Sequence, residues 1–361
     1  MDSQDRGSDS RQTSQHSRRR YARHDDRLPG VFGRGAVHAG FFLLKLMPGR
    51  LRDWLAGRLG SRLLDKRWRR RQIVEANLRI AFPEKSPVEH EQLKQEFARR
   101  FLRIALDLGD LWWGTRRSLL ANTVFEGDDI VDRLLAEKQP VILLGPHTIG
   151  LDIGGLALSC RFPILGLTSE AKSGLADWAF RRLRERYCDE VIDRTYSVRR
   201  MIKGIQSGSV LFYLPDEDHG HLKKSVFVPF FGRDTATLLG AGRLMSLAQA
   251  AVCPFTTVWN AETGQYHVKI FEPVAALSGG DPIENCRVMR EELEKLIRIQ
   301  PEDYLWTLRI FNNEKNGRAN PLYPPPSIPL EDDPDHHPHN RHGHRASRDS
   351  DATDSSSSSS S

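Results

Sequence analysis

The sequence predicts an α/β protein: a mixed, largely parallel sheet flanked by helices, preceded by an N-terminal amphipathic helical extension. Three observations carry the prediction. From Val124 onward, short apolar runs alternate with amphipathic stretches of helical length, the pattern of strands joined by crossover helices. A capping box at Ser86 opens a long run with helical spacing. Composition then restricts the fold to residues 31–326, because both ends read as polar tails.

Residues 1–30 contain almost no large aliphatic side chains and many Ser, Arg and Asp, too little apolar surface to offset chain entropy. Residues 327–361, through "EDDPDHHPHNRHGHRASRDSDATDSSSSSSS", read the same way. The histidines of that tail have no cysteine or carboxylate framework around them, so no metal site is expected there. Hydrophobic content of 39% supports a full core between the tails.

The net charge of +6 is unevenly placed. Residues 31–71 carry eleven Lys and Arg against only Asp53 and Asp65. The same segment holds "VHAGFFLLKLMPGRLRDWLAGRLGSRLL", whose apolar residues alternate with arginines as in a helix lying in a membrane interface. Lys45 interrupts an apolar run far shorter than the roughly 20 residues that cross a bilayer. Attachment to a membrane surface is therefore expected, with packing on the protein's own core as the alternative reading of this face. Nucleic acid is not an expected partner, because the basic residues are interleaved with so much apolar surface. No signal peptide is visible in the polar first thirty residues. Cys160, Cys188, Cys253 and Cys286 show no paired spacing, which fits a reducing, cytoplasmic location.

In "SPVEHEQLKQEFARRFLRIALDLGDLWW", Ser86 is the N-cap, Pro87 the first helical residue and Glu89 the capping-box partner. Leu93, Phe97, Phe101, Leu102, Ile104 and Leu108 then recur at helical spacing. "PVILLG", "FPILGL", "EVID" and "SVLFYLP" read as strands. Helices fall near Leu151 to Ser159, Leu175 to Arg186 and Val198 to Gln206. "SVFVPFFG" follows, then a helix around Leu238 to Ala250. Two strands joined by a turn at Gly264 come next, and a helix from Ile283 to Gln300 leads into "EDYLWTLRIF".

Chemistry concentrates in "VILLGPHTIGLDIGG". Gly145 and Gly150 have the spacing of the first half of a phosphate-binding loop. Leu151 and Asp152 stand where that loop needs Lys and Ser or Thr, so the loop is excluded. No Gly-x-Ser-x-Gly elbow is present, which argues against a serine hydrolase. What remains is His147, with Asp152 five positions on, at the carboxyl end of a buried strand where α/β proteins place ligand sites. On one helix that spacing separates two side chains by about 140°. The pair meets only with His147 in the turn and Asp152 in the first turn of the next helix. The carboxylate then accepts the Nδ1 proton and leaves Nε2 as a base toward substrate. A packed structural histidine fits the same spacing.

His-four residues-Asp after an apolar strand resembles the signature of the glycerolipid and lysophospholipid acyltransferase superfamily. "YLPDEDHG" followed by "KKSVFVPFFGRDTATLLGAGRLMSLAQAAVCPF" narrows the resemblance to the bacterial lipid A biosynthesis acyltransferases, the lauroyl or myristoyl transferases. "RRRQIVEANLRIAFPEKSPVEHEQL" and "PEDYLWTLRIF" match that family too, so the resemblance spans roughly residues 36 to 312. It implies a glycerolipid acyltransferase-like fold and an enzyme, an acyl-thioester-dependent O-acyltransferase. It also implies location at the cytoplasmic face of the inner membrane, peripheral or monotopic. His147, held by Asp152, would deprotonate a hydroxyl of a lipid A precursor, and that oxygen would attack the thioester of acyl carrier protein, or of coenzyme A. No cofactor or metal is expected.

Further expectations follow from the resemblance. Gly150 lies where backbone N–H groups would hold the oxyanion. Pro215, Asp216, Asp218 and Gly220 match a block bordering the site, where the aspartates alternatively cap a turn. In "VFVPFFG", Val226, Val228 and Phe230 share a strand face that either packs the core or lines the acyl groove. Arg309 matches a family arginine that would contact a lipid phosphate. Arg181, Arg182, Arg184 and Arg186, or Arg199, Arg200 and Lys203, would dock the acidic carrier protein. Three departures point toward another membrane lipid acceptor as the alternative. Asp152 stands where Glu is frequent in the lipid A enzymes. Ser169 and Ser173 replace an arginine and an asparagine, with Lys172 nearby as substitute. Ile310 and Asn312 replace basic residues.

Overall fold

The Ser86 hydroxyl accepts the N–H of Glu89 and the Glu89 carboxylate accepts the N–H of Ser86 at 2.8 Å, so the capping box opens the helix as predicted. The computed structural model describes residues 30–63, 69–168, 174–187, 190–193, 198–218, 224–277, 279–316 and 320–323. The two polar tails lie, apart from Gly30, outside these residues.

Five helices come first: α1 (Val31–Leu46), α2 (Gly49–Leu63), α3 (Arg69–Ala81), α4 (Pro87–Trp113) and α5 (Arg116–Ala121). The α/β alternation follows as β1 (Thr123–Glu126), α6 (Asp128–Ala136), β2 (Val141–Leu144), α7 (Leu151–Arg161), β3 (Ile164–Thr168), α8 (Gly174–Tyr187), β4 (Glu190–Asp193), α9 (Val198–Gln206) and β5 (Val210–Tyr213). A hairpin of β6 (Ser225–Phe230) and β7 (Arg233–Leu238) leads into α10 (Leu239–Ala248), β8 (Ala251–Trp259), β9 (Tyr266–Ile270) and α11 (Pro282–Ile299).

Seven strands form one sheet in the order β1-β9-β8-β2-β5-β3-β4. Every pair is parallel except β8 with β9, which gives the mixed, largely parallel sheet expected from the sequence. All four residues of β2 and all nine of β8 are buried, the continuous burial of a sheet covered on both faces. Side chains alternate between the two layers. Ile142, Leu144, Leu211 and Val252 pack with α3, α10 and α11, while Val141, Leu143, Val210 and Cys253 pack with α6 and α7.

The basic N-terminal segment packs on the protein's own helices and also leaves apolar residues exposed. α1 crosses α4 at Gly109, where a Cβ would strike the Phe41 carbonyl, and Phe41 stacks on Trp112 at 4.8 Å. Arg52 fixes the corner between α1 and α2, because its buried guanidinium bonds Asp107, Asp110 and the Leu44 carbonyl. Yet α1 has no buried residue, and Phe42, Leu43, Leu46, Leu51 and Trp54 are exposed. Among the described residues, no helix is long and apolar enough to cross a membrane.

Candidate active site

β2 and β5 are parallel neighbours in which Leu144 pairs with Tyr213, and the Gly145 N–H extends the ladder to the Tyr213 carbonyl at 3.1 Å. Each strand then runs through one residue into a proline, Pro146 and Pro215. Proline lacks the N–H that would continue the ladder and fixes φ, so both strands stop at the same level. The next residues are His147 and Asp216. Their separation of 69 positions equals that of the paired Leu144 and Tyr213, so strand register brings the two side chains together.

His147 Nδ1 is hydrogen-bonded to Asp216 Oδ1. Asp216 Oδ2 accepts the backbone N–H of His147 at 2.8 Å and the Tyr304 hydroxyl at 2.9 Å. The Asp216 carboxylate is fully buried, and its backbone carbonyl accepts from Arg290 of α11 at 2.8 Å. Burial alone would lower the His147 pKa. The charge and hydrogen bond of Asp216, followed by the charges of Glu217 and Asp152, outweigh it and push the pKa up to about 9. Burial likewise works to raise Asp216, but His147 and the donors around it hold the carboxylate below its ordinary range. The outer nitrogen, Nε2, lies 3.9 Å from Glu217 Oε1, and the ring remains partly exposed.

The carboxylate on Nδ1 is therefore Asp216, which corrects the expectation that Asp152 holds His147. Asp152 lies in the first turn of α7, as the sequence reading required, but its side chain turns toward Arg184 Nη2 at 3.7 Å. It acts on His147 through charge. Gly150 is the N-cap of α7 and, having no side chain, makes no capping hydrogen bond of its own.

The other predicted residues separate. Asp218 is buried and accepts the Asn313 N–H at 2.8 Å and its side-chain amide at 2.7 Å, tying the loop after β5 to the C-terminal segment. Phe230 is buried in the core between Phe231 and Phe311, with the Arg290 guanidinium over its ring. That is the core-packing reading of its strand face and corrects the groove-lining one. Arg309 lies over the Tyr323 ring at 5.7 Å. Lys172 and Gly220, with Ser169 and Ser173, fall outside the described residues. Among the basic clusters, Arg181 pairs with Asp177, and Arg186 donates to the Trp112 and Gly114 carbonyls, which fastens α8 to the end of α4. Arg199, Arg200 and Lys203 are exposed on α9.

Tyr304 is the residue sequence reasoning missed. Its segment matched the family block, but nothing in its spacing points to a strand end so far away in the chain.

Among the described residues, no serine or cysteine bonds to His147. Such an arrangement can act as a general base toward a nucleophile that the substrate itself brings. Residues 24–313 match the profile of the bacterial lipid A biosynthesis acyltransferases. A lipid A biosynthesis acyltransferase of Haemophilus influenzae is 32% identical over 280 residues, covering 77% of this chain and 87% of that protein. The lipid A biosynthesis myristoyltransferase of Escherichia coli is 27% identical over 82% of this chain and 94% of its own length. The lauroyltransferase of the same organism is 28% identical over 72% and 84%. The chain belongs to the bacterial lipid A biosynthesis acyltransferase family, and it is an acyltransferase.

Proposed function

We propose that the protein transfers a fatty acyl chain from the thioester of acyl carrier protein to a hydroxyl of a lipid A precursor, with His147 as general base and Asp216 as the group that orients it. The observation that carries this reading is the buried Asp216 carboxylate on Nδ1, which leaves Nε2 facing outward at the carboxyl edge of the sheet.

In the reaction, Nε2 of neutral His147 takes the proton of the acceptor hydroxyl as its oxygen attacks the thioester carbonyl. Negative charge develops on the carbonyl oxygen. The N–H groups of Asp152 and Ile153 in the first turn of α7 are the donors proposed for it. Collapse of the tetrahedral intermediate breaks the C–S bond, and the departing thiolate takes the proton from the His147 imidazolium. Asp216 stays anionic throughout, fixing the tautomer and stabilising the imidazolium.

The exposed apolar residues of α1 and α2, flanked by Arg34, Lys45, Arg50 and Arg58, support attachment to an anionic membrane surface, where the acceptor lipid resides. Arg199, Arg200 and Lys203 are the cations proposed to meet the acidic carrier protein.

The test is transfer of a labelled acyl group from acyl carrier protein to a purified tetra-acylated lipid A precursor, with His147→Ala beside the parent. Transfer that falls by about a hundredfold or more in the variant supports both reaction and base. Parent activity confined to a different acceptor would keep the chemistry and overturn the lipid A assignment. Fatty acid released without any acceptor would identify a hydrolase.

A further inference from the structure

Tyr304 and the residues beside it clamp the His147 loop from the far side of the chain. The Asp303 carbonyl accepts the N–H of Ile149 at 2.7 Å, and the His147 carbonyl accepts the N–H of Leu305 at 2.9 Å. Thr148 and Tyr304 thus form an isolated antiparallel bridge. The clamp is itself anchored. The buried Asp303 carboxylate accepts the Trp259 N–H and the Gln300 side-chain amide, both at 2.7 Å, and Arg100 of α4 at 3.2 Å. From this platform the buried Tyr304 hydroxyl donates to Asp216 Oδ2, the oxygen that also accepts the His147 N–H.

We propose that Tyr304 is a positioning residue of the transfer reaction, whose hydroxyl limits how strongly Asp216 holds a proton on His147. The inference rests on His147 being the base. Charge on Asp216 stabilises the imidazolium, and a donor on the same carboxylate spreads that charge and weakens the effect. Burial, then the neighbouring Asp216 charge, keeps the phenol protonated far above its ordinary range, so it donates at every working pH. A base locked as imidazolium is useless, and Tyr304 works against that outcome.

Several other charged groups bear on the same pair. Glu217 and Asp152 raise the proton affinity of His147. Arg290 approaches Asp216 from α11. Asp303, which burial pushes up to about 6, titrates well below His147. The Tyr304 hydroxyl is a hydrogen-bond partner in none of the Arg290 and Asp303 contacts.

The test compares the parent with Tyr304→Phe and with 3-fluorotyrosine at position 304, which keeps the ring and makes the hydroxyl a stronger donor. The readouts are the pH dependence of kcat/KM for acyl transfer and the titration of His147 followed by imidazole NMR. Tyr304→Phe is expected to move the acid limb and the His147 titration upward by about half a unit to one unit, with KM for the acyl donor unchanged. Fluorotyrosine is expected to move both downward. A uniform loss of kcat with neither titration displaced would reduce Tyr304 to a structural role and overturn the inference. The NMR titration needs no turnover, so it reads the Tyr304 effect even if His147→Ala remains active and the base assignment fails.

Discussion

His147 and Asp216 stand three residues beyond Leu144 and Tyr213, a directly paired couple on adjacent parallel strands. The histidine and its carboxylate are thus joined by sheet register across 69 positions of sequence, and the geometry of the pair depends on the β2/β5 ladder.

The pair makes stability depend on pH. The folded His147 pKa of about 9 lies above its ordinary 6.5, so its contribution is fully present below 6.5 and disappears as pH rises through 9. Asp216 is shifted downward, so its share is present above the ordinary carboxylate range and is lost in acid as pH falls through its folded value. Both describe one interaction, of at most about 3 kcal/mol. Thermal melts of the parent should fall between pH 6.5 and 9 and those of His147→Gln should be flatter there, a comparison made by calorimetry across that interval. Parallel curves would contradict it.

Close packing of α7 on β8 supplies a second prediction. A Cβ at Gly154 would overlap the Thr257 side chain, so Gly154→Ala must push the helix away from the strand. Overpacking of this kind costs about 1–3 kcal/mol, and a lowered midpoint in denaturant is expected. Because the N-cap of α7, Gly150, lies three residues past His147, activity should fall beyond what the lost stability explains.

The surface of α1 and α2 gives a third. Leu43, Leu46 and Trp54 are 66%, 62% and 57% exposed. Replacing all three with Ser should weaken cosedimentation with anionic vesicles by about a hundredfold or more, while the circular dichroism spectrum stays unchanged. Raised salt should weaken the parent's binding, since the flanking arginines contribute. Undiminished binding by the triple variant would remove the membrane role from this face.

Much of this was legible in the sequence where local rules apply. The capping box fixes the start of α4, and apolar runs bounded by Gly and Pro locate β2, β3, β5 and β8. β1 and β7 were missed because "TVFE" and "RDTATL" are too short or too polar for a clear alternation. The site was half legible. His147 stands out at a strand end, but its partner was sought five residues away because a linear reading favours local neighbours. The signal for Asp216 lies in two matching strings, "VILLGPH" and "VLFYLPD", each an apolar tetrad, one spacer, a proline and a residue of the pair. Only strand pairing turns that similarity into a contact. Phe230 shows the same limit: alternation gives its face, while what covers that face depends on α11 and the C-terminal segment.

The most direct test measures acyl transfer by Asp216→Asn and Asp152→Asn side by side. An Asn at 216 keeps the shape but favours the wrong imidazole tautomer and removes the charge. Its rate should fall by about a thousandfold or more. Asp152→Asn removes only a charge near the ring and should stay within about tenfold of the parent. The reverse order, with Asp216→Asn near the parental rate and Asp152→Asn inactive, would contradict the assignment of Asp216 as the partner of the base.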